Sequence, residues 1–447
     1  MEKIDELIID VKDPQWIESL KQCHPADIAE QTRSIPVSKI REVLRQLPDE
    51  LTAEVIAEYP IEMSVQLFET MRLNRLSGII GEMFTDDAAD VLGQLSAKRL
   101  NEIMGSLNPE DAAEMRSLLK YPEDSAGGTM QTEFIALSES LSVAEATEKL
   151  RTHEEINSED LFYIYVIDED GRLRGVLRVR DLLFSKADRM IEELMDRDVR
   201  CVSVHADQEE VATLFQRYHF NSIPVVDDFQ RLQGIILSDD VIEIVQEEAT
   251  EDMQRMVGLS GEEMLDTSWR TSVRNRLPWL CVNLATAFAA GLVVSIFEET
   301  IAQYAVLAIF LPIIAGQGGN AGTQTLTILV RSLALSEVSL QQQRAALVKE
   351  VVVGLINGIS IGLIVGLVSW VWKGNLSLGI ITCLAMALNM LVAAVAGVLI
   401  PLGLKSLKID PALASAIMLT TVTDVIGFFV FLGLAALGMQ FFPQYML

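Results

Sequence analysis

Residues 411–437 read PALASAIMLTTVTDVIGFFVFLGLAAL, an apolar stretch that contains a single charged side chain, Asp424. At about 1.5 Å per residue, a helix of this length can cross a hydrocarbon core of about 30 Å. A charge at mid-bilayer costs about 2.5–3.5 kcal/mol on insertion scales, so such residues usually face a bundle interior or water. The membrane half has no basic residue at matching depth. We therefore interpret Asp424 as a group that binds a cation from solution; packing against a partner helix is the alternative.

Four further apolar stretches precede this one, and together they predict five membrane-spanning helices. The predicted spans are 278–297, 304–330, 347–372, 376–404 and 411–437. Basic residues lie before the first span, after the second and after the fourth, whereas only Lys373 lies on the other side. By the positive-inside rule, the N-terminus is cytoplasmic and the C-terminus is outside. The acidic, polar N-terminus does not resemble a cleavable signal.

The second predicted span contains a polar run, PIIAGQGGNAGTQT, at residues 312–325. Its glycines permit close helix contact or open the backbone to a wet cavity, and its amide and hydroxyl oxygens suit a hard, hydrated cation. Tight packing alone is the alternative, and we predict that the run serves both purposes. In the last span, Thr420 precedes Asp424 by four residues and therefore lies on the same helix face.

The net charge of −28 is confined to the N-terminal part of the 447-residue chain. From Pro278 onward there are six basic and six acidic residues, whereas 29 basic and 57 acidic residues precede it. Such a negative domain repels nucleic acid and attracts divalent cations, although solubility alone would also explain it. The four cysteines and four histidines form no close pattern, which argues against disulfides and structural zinc.

Two internal repeats organise the part of the chain before the spans. Residues 1–128 contain repeated units that each begin with Pro or Thr and acidic residues, as helix starts do, and continue as an amphipathic run. This pattern predicts an acidic helical solenoid. Its acidic starts Asp86, Asp87 and Asp90 are either caps and solvated faces, or cation ligands if another acidic surface faces them. After a turn-rich connection at 122–130, residues 129–190 and 191–246 form a second repeat with an offset of 59 residues. Each copy predicts two strands around a glycine and a helix near an aspartate.

An acidic helix is predicted where this second repeat ends. Residues 239–252 read DDVIEIVQEEATED, and three- and four-residue spacings place six of these acids on overlapping helix faces. We assign residues 247–277 to a connecting, plug-like helix that leads to a five-helix transmembrane domain, residues 278–447. A solvated helix face is the alternative explanation.

The second repeat resembles a tandem pair of CBS domains, which commonly bind adenine nucleotides or metal ions. The nucleotide site of that family corresponds here to Tyr163, Arg180, Asp181 and Phe220. The two positions where the family pattern has Ser or Thr carry Arg178 and Leu237. The resemblance therefore implies an adenine nucleotide such as ATP as a candidate ligand, with a departure at these two positions.

The whole order of features resembles the MgtE family of magnesium channels or transporters: an acidic helical domain, CBS repeats, an acidic helix, and five spans with GGNAGTQ and TTVTD. The resemblance implies a homodimer in the cell membrane, with Mg²⁺ as permeant and regulatory ion. It implies a pore site formed by Asp424, Asn320, Thr420 and Thr323. It implies regulatory metal ligands at Asp207, Glu209, Asp240, Glu243, Glu248, Glu251, Asp252, Asp410, Asp86, Asp87 and Asp90. A position that is usually acidic in the family is His219 here.

Two other classes of function compete with Mg²⁺ transport as explanations of these sequence features. A membrane-anchored sensor of nucleotide or metal that does not transport is the alternative. An enzyme is disfavoured because the chain offers no nucleophile–base pair, no P-loop and no clustered histidines. The residues leave channel and secondary transporter open, although the absence of a visible inverted repeat favours a channel.

Overall fold

The computed structural model describes residues 14–152, 162–261, 263, 267–335, 340–413 and 415–441. The start of the chain, where no cleavable signal was predicted, lies outside these residues. So do parts of the connecting segment 247–277 and the last six residues. The chain divides into two compact units between Ile244 and Val245. Each unit is described by itself.

The first unit begins with a solenoid of short helices, as predicted. They are α1 (Pro14–Leu20), α2 (Pro25–Thr32), α3 (Val37–Leu44), α4 (Asp49–Ala57), α5 (Ile61–Thr70), α6 (Leu73–Ile80), α7 (Thr85–Gly93), α8 (Ala97–Met104) and α9 (Pro109–Leu118). Helices two apart in sequence pack together, from α2 with α4 to α7 with α9. The start of α9 is capped by a side chain: Asn108 accepts hydrogen bonds from the backbone N–H groups of Glu110 and Asp111, at 3.0 and 2.9 Å.

The rest of the first unit consists of two α+β repeats. The first contains α10 (Ala126–Thr129), β1 (Ala136–Ser138), α11 (Val143–Thr152), β2 (Tyr163–Ile167), β3 (Leu173–Arg178), α12 (Val179–Leu183) and α13 (Ile191–Leu194). The second contains β4 (Val202–Ser203), α14 (Gln208–Tyr218), β5 (Ser222–Val226), β6 (Leu232–Leu237) and α15 (Ser238–Met256). In each three-stranded sheet the first strand is parallel and the third antiparallel to the middle one.

The two repeats contact each other directly. Arg172 pairs with Arg231, its equivalent in the other repeat, through an isolated β-bridge. The Tyr165 and Ser222 hydroxyls, one from each sheet, lie 2.7 Å apart. These contacts and the matching topologies confirm the predicted tandem α+β repeat.

Helix α15, from Ser238 to Met256, contains all of residues 239–252, as the spacing of the acids predicted. It ends at Met256, so the predicted connecting segment, residues 247–277, is not one helix. Gly258 has φ = 81° and Gly261 has φ = 99°, left-handed conformations that favour glycine and end the helix. Part of the predicted connecting helix, from Trp269, belongs to the first membrane helix instead.

The second unit is α-helical and contains α16 (Trp269–Ile296), α17 (Glu298–Gln303), α18 (Leu307–Leu335), α19 (Leu340–Lys373), α20 (Leu376–Ser406) and α21 (Ser415–Phe441). By length and composition, α16, α19, α20 and α21 can each cross a membrane. Helix α18 covers the second predicted span and has 29 residues, but the polar run interrupts its apolar sequence, and it is not among these four. A helix therefore lies at each of the five predicted spans.

Helix α20 lies at the centre of this unit and packs against α18, α19 and α21. Glycines permit its close approach to α19: a Cβ at Gly358 would lie 2.8 Å from the Ala387 carbonyl oxygen. Phe310, Met386 and Phe431 join α18, α20 and α21 in one apolar cluster. This packing holds the polar run of α18 beside the helix that carries Asp424.

Candidate functional site

Asp424 lies on α21 among threonines and is half-buried in the chain. The Thr420 hydroxyl donates a hydrogen bond to the Ile417 carbonyl at 3.0 Å, and the Thr423 hydroxyl donates to the Thr420 carbonyl at 3.0 Å. Each hydroxyl oxygen keeps lone pairs that can accept a further hydrogen bond. Within the part of the second unit that the structure describes, no Lys or Arg forms an ion pair with Asp424.

The polar run of α18 packs against α21 one turn before Asp424. A Cβ at Gly322 would lie 2.8 Å from the Leu419 side chain, and one at Gly319 would lie 3.7 Å from Thr420 Cγ2. Glycine is therefore required for this approach at position 322. The contact brings the predicted pore residue Thr420 to the helix that carries Asn320 and Thr323.

One face of α18 exposes polar side chains in the single chain. Gln317, Asn320 and Gln324 are exposed and recur at helical spacing, with Thr323 beside them. The Thr323 hydroxyl donates to the Gly319 carbonyl at 2.9 Å and keeps acceptor capacity. Because polar side chains are costly against lipid, this face is suited to water or to a second copy of the chain.

Sequence reasoning missed a second carboxylate in the membrane region, which is already paired with other side chains of the chain. Glu350 on α19 is buried and accepts a hydrogen bond from Thr325 Oγ1 of α18 at 2.8 Å. Lys349 Nζ lies 3.2 Å from its other oxygen. Glu350 therefore anchors α19 to the polar helix and contrasts with Asp424, for which the described residues offer no such ion pair.

The first unit brings together six carboxylates from the solenoid, from the segment before β1 and from helix α15. They are Glu58, Asp86, Asp87, Glu133, Asp240 and Glu243. Burial, followed by the charges of Asp240 and Glu243, raises the pKa of Asp87 to about 7. Burial and the neighbouring carboxylates also raise the pKa of Asp86 well above its usual value. The Asp86 Oδ1 atom is buried, and no described residue donates a hydrogen bond to it.

Such a group is suited to binding a cation because each negative charge opposes its neighbours. A divalent ion would supply the positive charge that the described residues of the cluster lack. The buried Asp86 Oδ1 is an oxygen ligand of the kind that Mg²⁺ prefers. Even so, the described residues contain no group of three or more His, Cys, Asp or Glu side chains arranged to hold a metal ion. Asp90, predicted with this set, is exposed.

A second acidic cluster surrounds the end of α15 in the second unit. Burial, then the charges of Asp410 and Glu248, raises the pKa of Asp252 to about 6. Arg255 Nη1 lies 2.7 Å from Asp410 Oδ2 and also forms an ion pair with Glu251. Arg255 therefore neutralises part of the cluster. The four-residue spacing from Glu251 was the sequence signal for this arginine, and sequence reasoning did not use it.

Several predicted metal ligands also have structural roles. Asp207 begins α14, where its Oδ1 accepts a hydrogen bond from the Glu209 backbone N–H at 2.9 Å. Asp240 accepts from the Leu237 N–H at 3.0 Å. Asp410 Oδ1 accepts from the Ala412 N–H at 2.7 Å. These carboxylates are thus held in place by backbone donors, which still leave acceptor positions on each group.

Family models match three parts of this chain. The MgtE intracellular N domain matches residues 23–124, the CBS domain matches 126–188 and 191–247, and the MgtE divalent cation transporter model matches 311–434. The magnesium transporter MgtE of Bacillus subtilis is 33% identical over 356 residues, which cover 80% of this chain and 79% of that protein. This chain belongs to the MgtE family.

A further MgtE protein and a solved MgtE structure are similar over different shares of this chain. The magnesium transporter MgtE of Thermus thermophilus is 34% identical over 340 residues, 74% of each chain. A crystal structure of the cytosolic domain of the Mg²⁺ channel MgtE in complex with ATP is 35% identical, with a TM-score of 0.49, and covers 51% of this chain and 93% of that chain. The family membership confirms the resemblance stated from the sequence.

The CBS repeats of this MgtE-family chain enclose a cleft of about 220 Å³. Three of the four predicted nucleotide residues, Tyr163, Asp181 and Phe220, line it, whereas Arg180 does not belong to its lining. Arg178 and Arg200 line the cleft as well, together with the acidic Asp196 and Asp198. Arg178 therefore lies in the cleft at the position where the CBS pattern has a hydroxyl residue, in a lining of mixed charge.

Proposed function

We propose that this protein carries Mg²⁺ across the cell membrane as a channel or transporter, with Asp424 as the carboxylate that binds the permeating ion. The setting of Asp424 is the observation that supports this most. A charged side chain in a span needs a compensating partner. Among the described residues no basic group pairs with it, and hydroxyl and amide side chains lie on the adjoining helix faces.

The pathway in this proposal lies between the α21 helices of two copies of the chain. One chain contributes one carboxylate, and two facing carboxylates would repel each other unless a divalent cation neutralised both. The exposed polar face of α18 supports this arrangement, because a homodimer would turn that face towards a shared aqueous path rather than lipid. The N-terminus and CBS repeats would then be cytoplasmic and the C-terminus outside.

Asn320, Thr323 and Thr420 would contact the ion largely through its water. Mg²⁺ prefers octahedral oxygen coordination and dehydrates reluctantly. Because the Thr323 and Thr420 hydroxyls already donate to their own helices, their lone pairs are oriented to accept hydrogen bonds from ion-bound water. Such outer contacts would hold a hydrated ion without stripping its shell.

Cytosolic Mg²⁺ would close the pathway by binding the acidic clusters. In the first unit, an ion among Asp86, Asp87, Asp240 and Glu243 would relieve the repulsion that, together with burial, raises the pKa values of Asp86 and Asp87. In the second unit, Glu248, Glu251, Asp252 and Asp410 would respond in the same way at the end of α15. Asp207 and Glu209 are further proposed ligands. Ion binding would shift the protein towards its compact, closed form.

The test is Mg²⁺ influx into proteoliposomes that contain the purified full chain. The comparison is between the unaltered protein and Asp424→Ala, both confirmed as folded by size-exclusion chromatography. Influx by the unaltered protein that is abolished by Asp424→Ala supports the proposal. Unchanged influx through a well-folded Asp424→Ala protein would refute the role of the carboxylate.

A membrane-anchored sensor is the second candidate, and the cleft between the CBS repeats favours it. Arg178, Arg200 and the aromatic Tyr163 and Phe220 supply the charge and stacking surfaces that a nucleotide such as ATP needs. This function predicts nucleotide binding to the purified protein without any ion flux. The same liposome measurement separates the two candidates.

A further inference from the structure

A buried asparagine lies at the junction of the three helices that position the proposed pathway. Asn389 of α20 is 0% exposed. Its Nδ2 donates a hydrogen bond to the Ile314 carbonyl of α18 at 3.0 Å. Ile314 immediately precedes the glycine-rich segment of the polar run. Asn389 was not among the residues that the sequence singled out.

Two glycines on opposite helices make room for this side chain. A Cβ at Gly318, within the polar run of α18, would overlap Asn389 Nδ2. A Cβ at Gly427 on α21 would lie 2.8 Å from Nδ2 and 3.0 Å from Oδ1. Gly427 comes three residues after Asp424, a rise of about 4.5 Å along a helix. The amide is therefore held between both helices of the proposed pathway, about one turn from the carboxylate.

The amide oxygen of Asn389 is the unusual part of this arrangement. Among the residues that the structure describes, none donates a hydrogen bond to Oδ1. Exchanging the amide oxygen and nitrogen does not remove the problem, because it would set two acceptors, Oδ1 and the Ile314 carbonyl, against each other. Burying an amide oxygen without a donor is costly, and a leucine of similar volume would fill the space without that cost.

Thr382, another fully buried polar residue on the same helix, shows how such a residue usually satisfies its hydrogen bonds. Its hydroxyl donates to the Leu378 carbonyl of its own helix and needs no other partner. It therefore satisfies its polar group locally, whereas Asn389 spans two helices and keeps one acceptor unused. The contrast indicates that the oxygen of Asn389 has a use other than packing.

We propose that Asn389 is a further polar residue of the cation pathway, whose Oδ1 accepts a hydrogen bond from a water molecule of the hydrated divalent cation near Asp424. The proposal rests on the proposed function, since it requires a cation at that carboxylate. Because Asn389 is fully enclosed in the present conformation, this contact requires ion-bound water to enter between α18 and α21 from the pathway between the two copies. The hydrogen bond from Nδ2 to the Ile314 carbonyl fixes the orientation of the amide and leaves Oδ1 as the acceptor.

The first experiment measures maximal Mg²⁺ influx and the half-saturating Mg²⁺ concentration in proteoliposomes. Asn389→Leu keeps the volume and removes both polar atoms, and it should lower maximal influx about fivefold to tenfold, as expected for one lost hydrogen bond in the conducting state. Thr382→Val is the matched control on the same helix and should stay within about twofold, because its hydrogen bond is local. Normal influx through a folded Asn389→Leu protein would overturn the proposal.

A second comparison separates the polar role from packing. Gly318→Ala alone should destabilise the protein because its methyl group overlaps Asn389 Nδ2. Gly318→Ala combined with Asn389→Ala removes the overlap, so thermal stability should recover while influx stays low. Recovery of both stability and influx would show that Asn389 only fills space, and would overturn the proposal.

Asn389→Ser provides a test if the leucine variant does not fold. Serine keeps a polar oxygen, so its influx should exceed that of Asn389→Ala; equal influx in the two would contradict the inference. The unaltered protein and Asp424→Ala are measured alongside. Influx that depends on Asp424 but not on Asn389 would defeat this inference alone, whereas no influx from the unaltered protein would defeat the proposed function as well.

Discussion

The acidic residues of the first unit and those of the membrane spans have opposite electrostatic surroundings. In the first unit, Asp86 and Asp87 lie among other carboxylates, and the mutual repulsion and burial raise their pKa values. In the spans, Glu350 is paired with Thr325 and Lys349, whereas the described residues give Asp424 no ion pair. The first unit therefore offers several neighbouring carboxylates to a cation, whereas Asp424 offers a single carboxylate.

This difference explains how the same ion could be both the transported ion and the regulatory ion. A crowded cluster changes its repulsion when an ion binds, so it is suited to shifting a conformational equilibrium. A single carboxylate per chain holds an ion weakly unless a second copy supplies another. It is therefore suited to an ion that must leave again.

Neutralising one charge should have opposite results in the two regions, and the largest effect is expected at Asp424. Asp424→Asn keeps the shape of the side chain but removes its charge, so Mg²⁺ influx should fall by about 100-fold, the cost of losing about 2.7 kcal/mol of ion stabilisation. Influx into liposomes is the measurement, with thermal stability as the control. Influx above one-half of the unaltered rate would contradict the comparison.

In the first unit, the same chemical change should stabilise the packed arrangement. Asp87→Asn removes one of the repelling charges, so in EDTA the junction of the solenoid and CBS repeats should resist protease about tenfold longer, corresponding to about 1.4 kcal/mol. Limited proteolysis with and without Mg²⁺ measures this.

Glu82→Gln is the matched control for that variant, because Glu82 is exposed just before α7. It should leave the digestion rate unchanged. Faster digestion of Asp87→Asn than of the unaltered protein in EDTA would show that Asp87 stabilises the fold rather than opposing it.

Arg255 tests whether the cluster at the end of α15 is partly neutralised by the protein itself. Arg255→Gln removes the partner of Asp410 and Glu251, so closure should need more metal. The Mg²⁺ concentration that half-inhibits influx should rise about threefold, as expected for a partly exposed ion pair worth less than about 1 kcal/mol. Arg270→Gln is the control, since Arg270 lies over the neighbouring Trp269 ring. A lower inhibitory concentration in Arg255→Gln would contradict this role.

The smallest expected effect is the pH dependence of the protection that Mg²⁺ gives against protease. The pKa of Asp87 is about 7 in the fold against about 3.9 in unfolded chains, so the packed arrangement binds the proton more tightly. The ionised Asp87 carboxylate therefore destabilises the packed arrangement fully above about pH 7, and this destabilisation is absent below about pH 4. Lowering the pH from about 8 to about 6 should therefore increase protease resistance in EDTA and reduce the extra protection given by Mg²⁺. Equal Mg²⁺ protection at both pH values would contradict the assignment.

Hydropathy and repetition alone predicted much of this architecture. The solenoid, the two α+β repeats with their common offset, and helices at the five spans follow from local periodicity, which is a property of neighbouring residues in sequence. The single carboxylate of the last span was equally evident, since its cost depends on its apolar surroundings in the same segment. The helix over residues 239–252 was also predicted, whereas the connecting segment 247–277 is not one helix, because Gly258 and Gly261 follow the end of α15 in left-handed conformations.

The tertiary structure decided which side chains have partners. Arg255 and Asp410 are 155 positions apart and meet in an ion pair, and Asn389 contacts a carbonyl 75 positions away. Asp87 and Asp240 repel each other across a similar separation in sequence. Sequence alone determined which residues carry charge and which segments are apolar. Only packing determined which charges are neutralised, crowded or left for an ion, because burial and electrostatic interaction depend on distances between segments that the local pattern does not encode.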